Sequence, residues 1–361
     1  MSFRNRMRTS LKDLLESQGR QAPRVVRECL ESGELAPEDF SLREVWEACQ
    51  EYERGKRKSY WRDTHEAVSS DMFPTITGEV ISAKVIDAYQ TAPGIADKIS
   101  TTIPSKHRTE KVAGFEAVEG PEEVPEGRDY NESDLGEKYA EITNKKFGRI
   151  LSVTEEMIYF DQTQQVLNRA RTIGEKAALY REKSVVQAMM DLDNNAYKPD
   201  GVATAVYSSD HGNLLTSNAF GESGMAALLK AIQNMTDENG DPILIDESNL
   251  VVVVPSDLLV QAWQMENSSK SPEGNENSVN VFKGRFKTLS SYWVSAESAT
   301  TWYAGDIKRD LLFTECWPLQ VFTAKPGNER EFRADIKAMF KVRYFGGAGF
   351  CDFRHSFKCT A

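Results

Sequence analysis

The sequence predicts an α+β chain, and three observations carry that reading. Residues 332–344 alternate between an apolar and a mainly basic face: Phe332, Ala334, Ile336, Ala338, Phe340, Val342 and Tyr344 against Arg333, Asp335, Lys337, Met339, Lys341 and Arg343. Period-two alternation is the pattern of a strand with one face turned inward. Residues 161–192 place Val166, Ala170, Ile173, Ala177 and Ala188 at three- and four-residue steps or multiples of them, as a long helix requires. Residues 101–150 show neither pattern and are punctuated by Gly114, Gly120, Pro121, Pro125, Gly127 and Gly136.

The elements follow in chain order. Residues 1–62 read as a helical region, with Leu11, Leu14 and Leu15, then Val25, Val26, Cys29 and Leu30, at helical spacing. Gly33 interrupts it, and Ser41-Leu42-Arg43-Glu44 is a capping box for a further helix carrying Val45, Trp46 and Cys49. The cluster Arg54, Lys56, Arg57 and Lys58 suits the negative end of a helix dipole. Thr77 to Tyr89 predicts another helix, with Val80, Ile81, Lys84, Val85 and Ala88 on one side and Pro93-Gly94 as its stop.

The 101–150 segment reads as a long hairpin. Strand-prone pieces from Lys111 to Val118 and from Tyr139 to Val153 flank a tip whose acids include Glu119, Glu122, Glu123 and Glu126, with Arg128 the only base between Glu116 and Glu137. A structureless loop of that length is uncommon inside a compact domain, whereas an arm packing on another subunit is not. Asp161 with Gln164 is placed to cap the long helix. About 31 residues at ~1.5 Å give a rod of roughly 46 Å, and about 13 residues of strand at ~3.4 Å give roughly 44 Å. The two elements match in length.

Residues 200–325 read as a mixed body. Ser223 opens a helix striped by Met225, Leu228, Leu229, Ile232 and Met235. Asn239-Gly240-Asp241-Pro242 is a turn, Leu250 to Val254 a buried strand, and Pro255-Ser256-Asp257 the start of the next helix. Residues 268–278 are polar and read as an exposed loop; Trp302 and Tyr303 follow a further strand signal. Gly346-Gly347-Ala348-Gly349 predicts a tight bend, after which Phe350 to Phe357 returns.

Composition excludes several function classes. Lys plus Arg is 44 and Asp plus Glu is 55 over 361 residues, a formal charge of −11. A dedicated nucleic-acid binder carries a basic excess instead. No run approaches the ~18 apolar residues of a membrane span, and the basic N-terminus lacks the apolar stretch of a secretory signal. A soluble protein made inside the cell is expected. Cys29, Cys49, Cys316, Cys351 and Cys359 are odd in number and form no CxxC pair. That spacing predicts reduced thiols rather than a disulfide framework or structural zinc.

No catalytic, cofactor or metal site emerges. There is no P-loop and no glycine-rich turn opening a helix. Ser208-Ser209-Asp210-His211-Gly212-Asn213 sets a hydroxyl, a carboxylate and an imidazole side by side. A triad needs them convergent beside an oxyanion hole, which adjacency does not supply; a self-bonded polar loop is the plainer expectation.

The order arm, hairpin, long helix, mixed body and terminal strand resembles the major capsid protein of tailed bacteriophages with the Hong Kong 97-type fold, nearest the Mu-like head-subunit branch. The residues that carry the resemblance are Ser70-Asp71-Met72-Phe73-Pro74, Val124-Pro125-Glu126-Gly127, the run Lys146 to Ile158, Asp161 into its helix, Asp210 to Leu214, Val342 to Gly349, and Asp352-Phe353-Arg354. It covers about residues 65–361. The resemblance implies an N-terminal helical region (1–62), an N-terminal arm (63–100), an extended hairpin loop (101–153), a spine helix of a peripheral domain (154–199), an axial domain (200–325) and peripheral C-terminal strands (326–361).

It further implies self-assembly into the pentamers and hexamers of an icosahedral shell around double-stranded DNA. Portal, scaffold and decoration proteins and weak non-specific contact with packaged DNA are the implied partners. The place is the virion, after assembly in the host cytoplasm. Glu119, Glu122, Glu123 and Glu126 of one copy are expected to face Arg333, Lys337, Lys341 and Arg343 of another. Two rivals stand beside this: an encapsulin-like compartment shell, and a hydrolase built on Ser209, Asp210 and His211.

Overall fold

A computed structural model describes residues 22–39, 41–57, 72–113, 139–237, 240, 242–243, 249–272, 278–324 and 333–361. The helices are α1 (Ala22–Ser32), α2 (Leu42–Arg57), α3 (Met72–Thr91), α4 (Ala96–Ile99), α5 (Glu155–Tyr159), α6 (Thr163–Met190), α7 (Glu222–Gln233), α8 (Leu259–Asn267), α9 (Tyr292–Glu297) and α10 (Ile307–Asp310). The strands are β1 (Thr101–Pro104), β2 (Thr109–Ala113), β3 (Tyr139–Thr143), β4 (Lys145–Thr154), β5 (Leu214–Leu215), β6 (Val251–Val254), β7 (Lys287–Ser290), β8 (Trp302–Gly305), β9 (Leu311–Ala324), β10 (Ile336–Phe350) and β11 (Ser356–Cys359). They form sheets ordered β1-β9-β10-β4 and β5-β11-β8-β6-β7, and the ribbon β2-β3. The fold is α+β. Among the described residues no helix is long and apolar enough to cross a membrane.

Contacts divide the chain into two compact units. The first takes the described part of residues 1–92 with 146–179 and 317–344; the second takes 93–145, 180–316 and 345–361. β4, α6, β9 and β10 each continue from one unit into the other, and the remaining boundary, between residues 92 and 93, falls in the connection from α3 to α4.

In the first unit the core joins Phe73, Ile76, Val80 and Val85 of α3 to Val166, Leu167 and Ala170 of α6, and to Ala338, Phe340 and Val342 of β10. Val26 of α1 and Leu42, Val45 and Cys49 of α2 belong to the same core. α3 buries Val80, Ile81, Val85 and Ala88 of its expected side, and Phe73, Ile76, Thr77 and Gly78 widen that face.

In the second unit, β6 pairs parallel with β7 and antiparallel with β8, and β11 joins β8 to β5. Val252 and Val254 pack with Met225, Leu228, Ile232, Trp302 and Phe357, so the α7 stripe lies against the sheet as its spacing predicted. Val185, Val186 and Met189 of α6 pack in a second cluster with Ile99, Leu311, Phe313 and Phe350. Arg181 bonds Asp97 at 2.6 Å and lies 4.8 Å over the Phe313 ring. Glu182 accepts the amides of Ile95 and Ala96 at 2.9 and 2.8 Å, capping α4.

Three local expectations are corrected. The 346–349 stretch does not bend; it stays in β10. A Cβ on Gly346 would lie 2.6 Å from the Thr314 carbonyl oxygen, and one on Gly347 2.4 Å from that of Thr143. These glycines admit neighbouring backbone rather than making a turn. Asp161 does not cap α6 through backbone amides. It takes φ +46°, and its carboxylate accepts the hydroxyls of Thr163 and Ser41 at 2.6 and 3.1 Å. The Tyr139 to Val153 return is two strands, β3 and β4, broken at Asn144.

Candidate functional site

The base of the expected hairpin is present in the second unit. β2 and β3 pair antiparallel from Thr109↔Thr143 to Ala113↔Tyr139. β3 turns Ala140 and Ile142 inward, each 1% exposed, while Lys111 Nζ lies 3.9 Å from the Tyr139 ring centroid. Residues 114–138, which include Glu119, Glu122, Glu123 and Glu126, lie outside the described residues.

The root of the ribbon is pinned by Asn144, which is 3% exposed. Its backbone amide donates to the Arg108 carbonyl at 2.8 Å. Its side-chain amide donates to the His107 carbonyl at 2.8 Å and to Ser105 Oγ at 3.1 Å, and its oxygen accepts the Thr314 hydroxyl. Thr314 also donates to the Gly347 carbonyl at 3.1 Å. One buried amide therefore ties the strand before the ribbon, the strand after it and β9 together. Sequence reasoning missed it. The only signal was an Asn between two strand-prone runs, which reads as a turn residue.

In the first unit, one face of β10 was expected to be basic and outward. Lys341 is exposed, its Nζ 5.2 Å from the Phe322 ring. The Arg343 guanidinium lies 4.3 Å over Trp317 and 4.4 Å over Phe322, and donates to Gln320 at 3.3 Å. Lys146 of β4 reaches Trp317 at 6.0 Å. Lys337 departs from the expectation: it is buried, 3.3 Å from Glu155 Oε2. Glu155 is brought there by its own amide, which donates to the Asp335 carbonyl at 2.8 Å, with Asp335 at φ +46°. Arg333 is exposed and precedes β10 in a short helical turn, not in the strand. The face thus combines cations with aromatic rings, an arrangement that holds long side chains extended through cation–π attraction. Trp317, Phe322 and Lys146 were not read as part of it, because nothing in the sequence shows that β4 and β9 flank β10.

Ser209, Asp210 and His211 do not form a triad. Ser209 and Asp210 are exposed. The His211 ring bonds the Val206 carbonyl through Nδ1 at 2.9 Å and stacks on Phe353 at 3.8 Å. The loop is organised instead by fully buried Asn213, whose amide donates to the carbonyls of Val206, Phe353 and Ser356. This is the self-bonded loop expected of it.

A buried charged corner went unread. Asp310, Asp352 and His355 bring ligand-type atoms within 4.8 Å of one another. Asp310 accepts the His355 amide and ring Nδ1, both at 2.8 Å, and the Ser356 hydroxyl at 3.1 Å. Arg354 Nε stands 3.9 Å from Asp352. Burial, and then the Asp310 charge, push the Asp352 carboxyl above its ordinary value, against the pull of Arg354 and the Phe353 amide. Such a corner can hold a cation, but its bonds already lock the β10-to-β11 connection to the end of α10. The five cysteines are thiols outside any disulfide, and burial pushes the Cys359 thiol up to about 12, so it is inert.

Residues 138–359 match the family model described as phage capsid protein. No curated protein matches the chain. Among solved structures it is similar to a virus-like particle from Pyrococcus furiosus, with 9% identity over 78% of this chain and 98% of that one and a TM-score of 0.46. It is similar to the capsid of cyanophage P-SCSP1u at 10% identity, 75% and 88% coverage and TM-score 0.46. It is also similar to a chain of the satellite phage P4 procapsid with its size-determination protein, at 10% identity, 87% and 97% coverage and TM-score 0.44. The family model spans well over half of the sequence, including the ribbon's return strand, α6, the body and both terminal strands, and the chain belongs to the phage capsid protein family.

Proposed function

We propose that the chain is a major capsid protein of the Hong Kong 97 type, nearest the Mu-like branch. Copies assemble as pentamers and hexamers of an icosahedral shell around the double-stranded DNA of a tailed phage. The family match over residues 138–359 is the observation that carries this. The role is structural, not catalytic. The partners are further copies, with portal, scaffold and decoration proteins; contact with packaged DNA is weak and non-specific. The place is the virion, after assembly in the host cytoplasm.

The hairpin supports the assembly step. β3 bonds residues 198–200 on its outer side, which leaves the β2 edge of the ribbon as the one that a neighbour would satisfy. In this reading the acidic tip, with Glu119, Glu122, Glu123 and Glu126, rests on the Lys341 and Arg343 face of an adjacent copy. Arg333 lies near its end, and Lys337, paired with Glu155, serves it from beneath. An exposed ion pair contributes only ~0–1 kcal/mol. Charge therefore sets register and steers encounter, while apolar burial supplies the affinity.

Expression of the full chain followed by negative-stain microscopy and sedimentation tests the shell. Closed particles protecting DNA from nuclease support it; particles filled with protein cargo favour the compartment rival, and monomers reject both. Lys341→Glu with Arg343→Glu tests the contact. Loss of particles with rescue by Glu122→Lys and Glu123→Lys supports it, and unaltered assembly rejects it.

A further inference from the structure

We infer that residues 22–57 are a permanent part of the folded subunit, and that any proteolytic trimming of the chain spares them. Membership of a shell rests on the capsid reading, whereas the clasp between α2 and α6 stands on contacts within one chain.

Helix α2 is capped from outside itself. Ser41 Oγ accepts the Glu44 amide at 3.3 Å, the local half of a capping box. The Leu42 amide donates to Thr163 Oγ1 at 2.8 Å, and the Thr163 hydroxyl in turn donates to Asp161 Oδ1 at 2.6 Å. Ser41 donates to the same Asp161 oxygen at 3.1 Å. The first turn of α2 and the first turn of α6, some 120 residues apart in sequence, thus share one hydrogen-bonded knot. Asp161 is held at φ +46°, a conformation that non-glycine residues rarely adopt, so the knot holds a costly backbone.

Most of the remaining contact is core, flanked by two surface ion pairs. Val26, Leu42 and Cys49 are 0% exposed and Val45 is 1% exposed, in one cluster with Phe73, Ile76, Val80, Leu151, Ile158 and Val166. Trp46 meets Phe73 edge-on at 4.9 Å. Arg27 forks onto Glu79 from α1 to α3, and Lys84 of α3 bonds Glu38. A segment built for removal meets its host through separable polar contacts. Taking away 22–57 would bare the apolar side of α3 and leave the Thr163 oxygen without the Leu42 amide.

A site-specific protease sequence placed between residues 58 and 71 of the full chain tests this. After cleavage, the N-terminal piece should co-elute with the remainder in native gel filtration, and intact mass should find residues 22–57 in every subunit of purified particles. Separation of the cut piece, or particles whose subunits begin beyond residue 57, overturns the inference. If no particles form, the capsid reading fails while the gel-filtration result still decides the clasp. Thr163→Val should speed amide exchange in residues 42–48 at least tenfold, while Thr163→Ser, which keeps the hydroxyl, should not. Equal rates in both variants would refute the knot.

Discussion

Asn144→Ala removes the pin at the ribbon's root. Three side-chain hydrogen bonds disappear: to the His107 carbonyl, to Ser105 Oγ, and from Thr314. Their partners are not all stranded. Ser105 keeps Glu110 as acceptor at 2.5 Å, the His107 carbonyl keeps the Cys316 thiol at 3.4 Å, and the single Thr314 proton can turn to the Gly347 carbonyl at 3.1 Å. The cost therefore lies toward the lower end of ~0.5–1.5 kcal/mol per bond, roughly 2–3 kcal/mol in all. If that free energy is drawn from local opening, exchange of the β2 and β3 amides accelerates roughly 30- to 150-fold. Hydrogen-exchange mass spectrometry on peptides covering 109–113 and 139–143 reads this directly. The β6 and β8 peptides serve as the internal control, since their pairing does not pass through Asn144. Ribbon exchange within threefold of wild type would show that the amide is incidental and that strand pairing alone holds the root.

Gly347→Ala forces a methyl against the Thr143 carbonyl oxygen, 2.4 Å from the ideal Cβ position. Overpacking against backbone costs ~1–3 kcal/mol, so the thermal midpoint should fall by several degrees, and an unchanged midpoint would contradict the close approach. Glu182→Ala uncaps α4 and should cost ~1 kcal/mol, measured by urea titration, with Glu182→Gln milder because it keeps an acceptor. Asp352 carries a pH signature. Its folded pKa is raised by burial and Asp310, so the folded state holds this proton more tightly than the unfolded chain. Stability relative to Asp352→Asn is therefore lost as pH climbs from the unfolded value of ~3.9 through the folded one, and is flat above it. Midpoints of the two proteins across pH 3–7 should diverge in that direction; parallel curves would refute it.

The long periodic elements were legible. The 161–192 spacing marked α6, and the 332–344 alternation marked β10, because one-sided burial writes period 3.6 or period 2 into a sequence. What escaped was whatever depends on a distant partner. β1 pairs parallel with β9, Thr101 with Leu312, and no local pattern announces that register. Gly346 and Gly347 looked like a bend because glycine licenses both a turn and a close approach, and only the carbonyls of Thr314 and Thr143 decide between them. Lys337 looked solvent-facing by parity until Glu155 claimed it. The Asp310–His355 pair joins residues 45 apart that carry no shared motif. The hairpin was legible as a composition shift, and its Asn144 pin was not.

The placement of β11 ties closure of the five-stranded sheet to the end of the chain. Ser356–Cys359 is not an edge strand; it lies between β5 and β8, with Phe357 and Cys359 fully enclosed. A ribosome that has not yet read those codons holds a chain whose five-stranded sheet lacks an interior member, with the flank of β8 bare. The N-terminal helices can form early, but the body cannot close until residue 359 has emerged. A prematurely terminated chain lacks the strand that would complete the sheet.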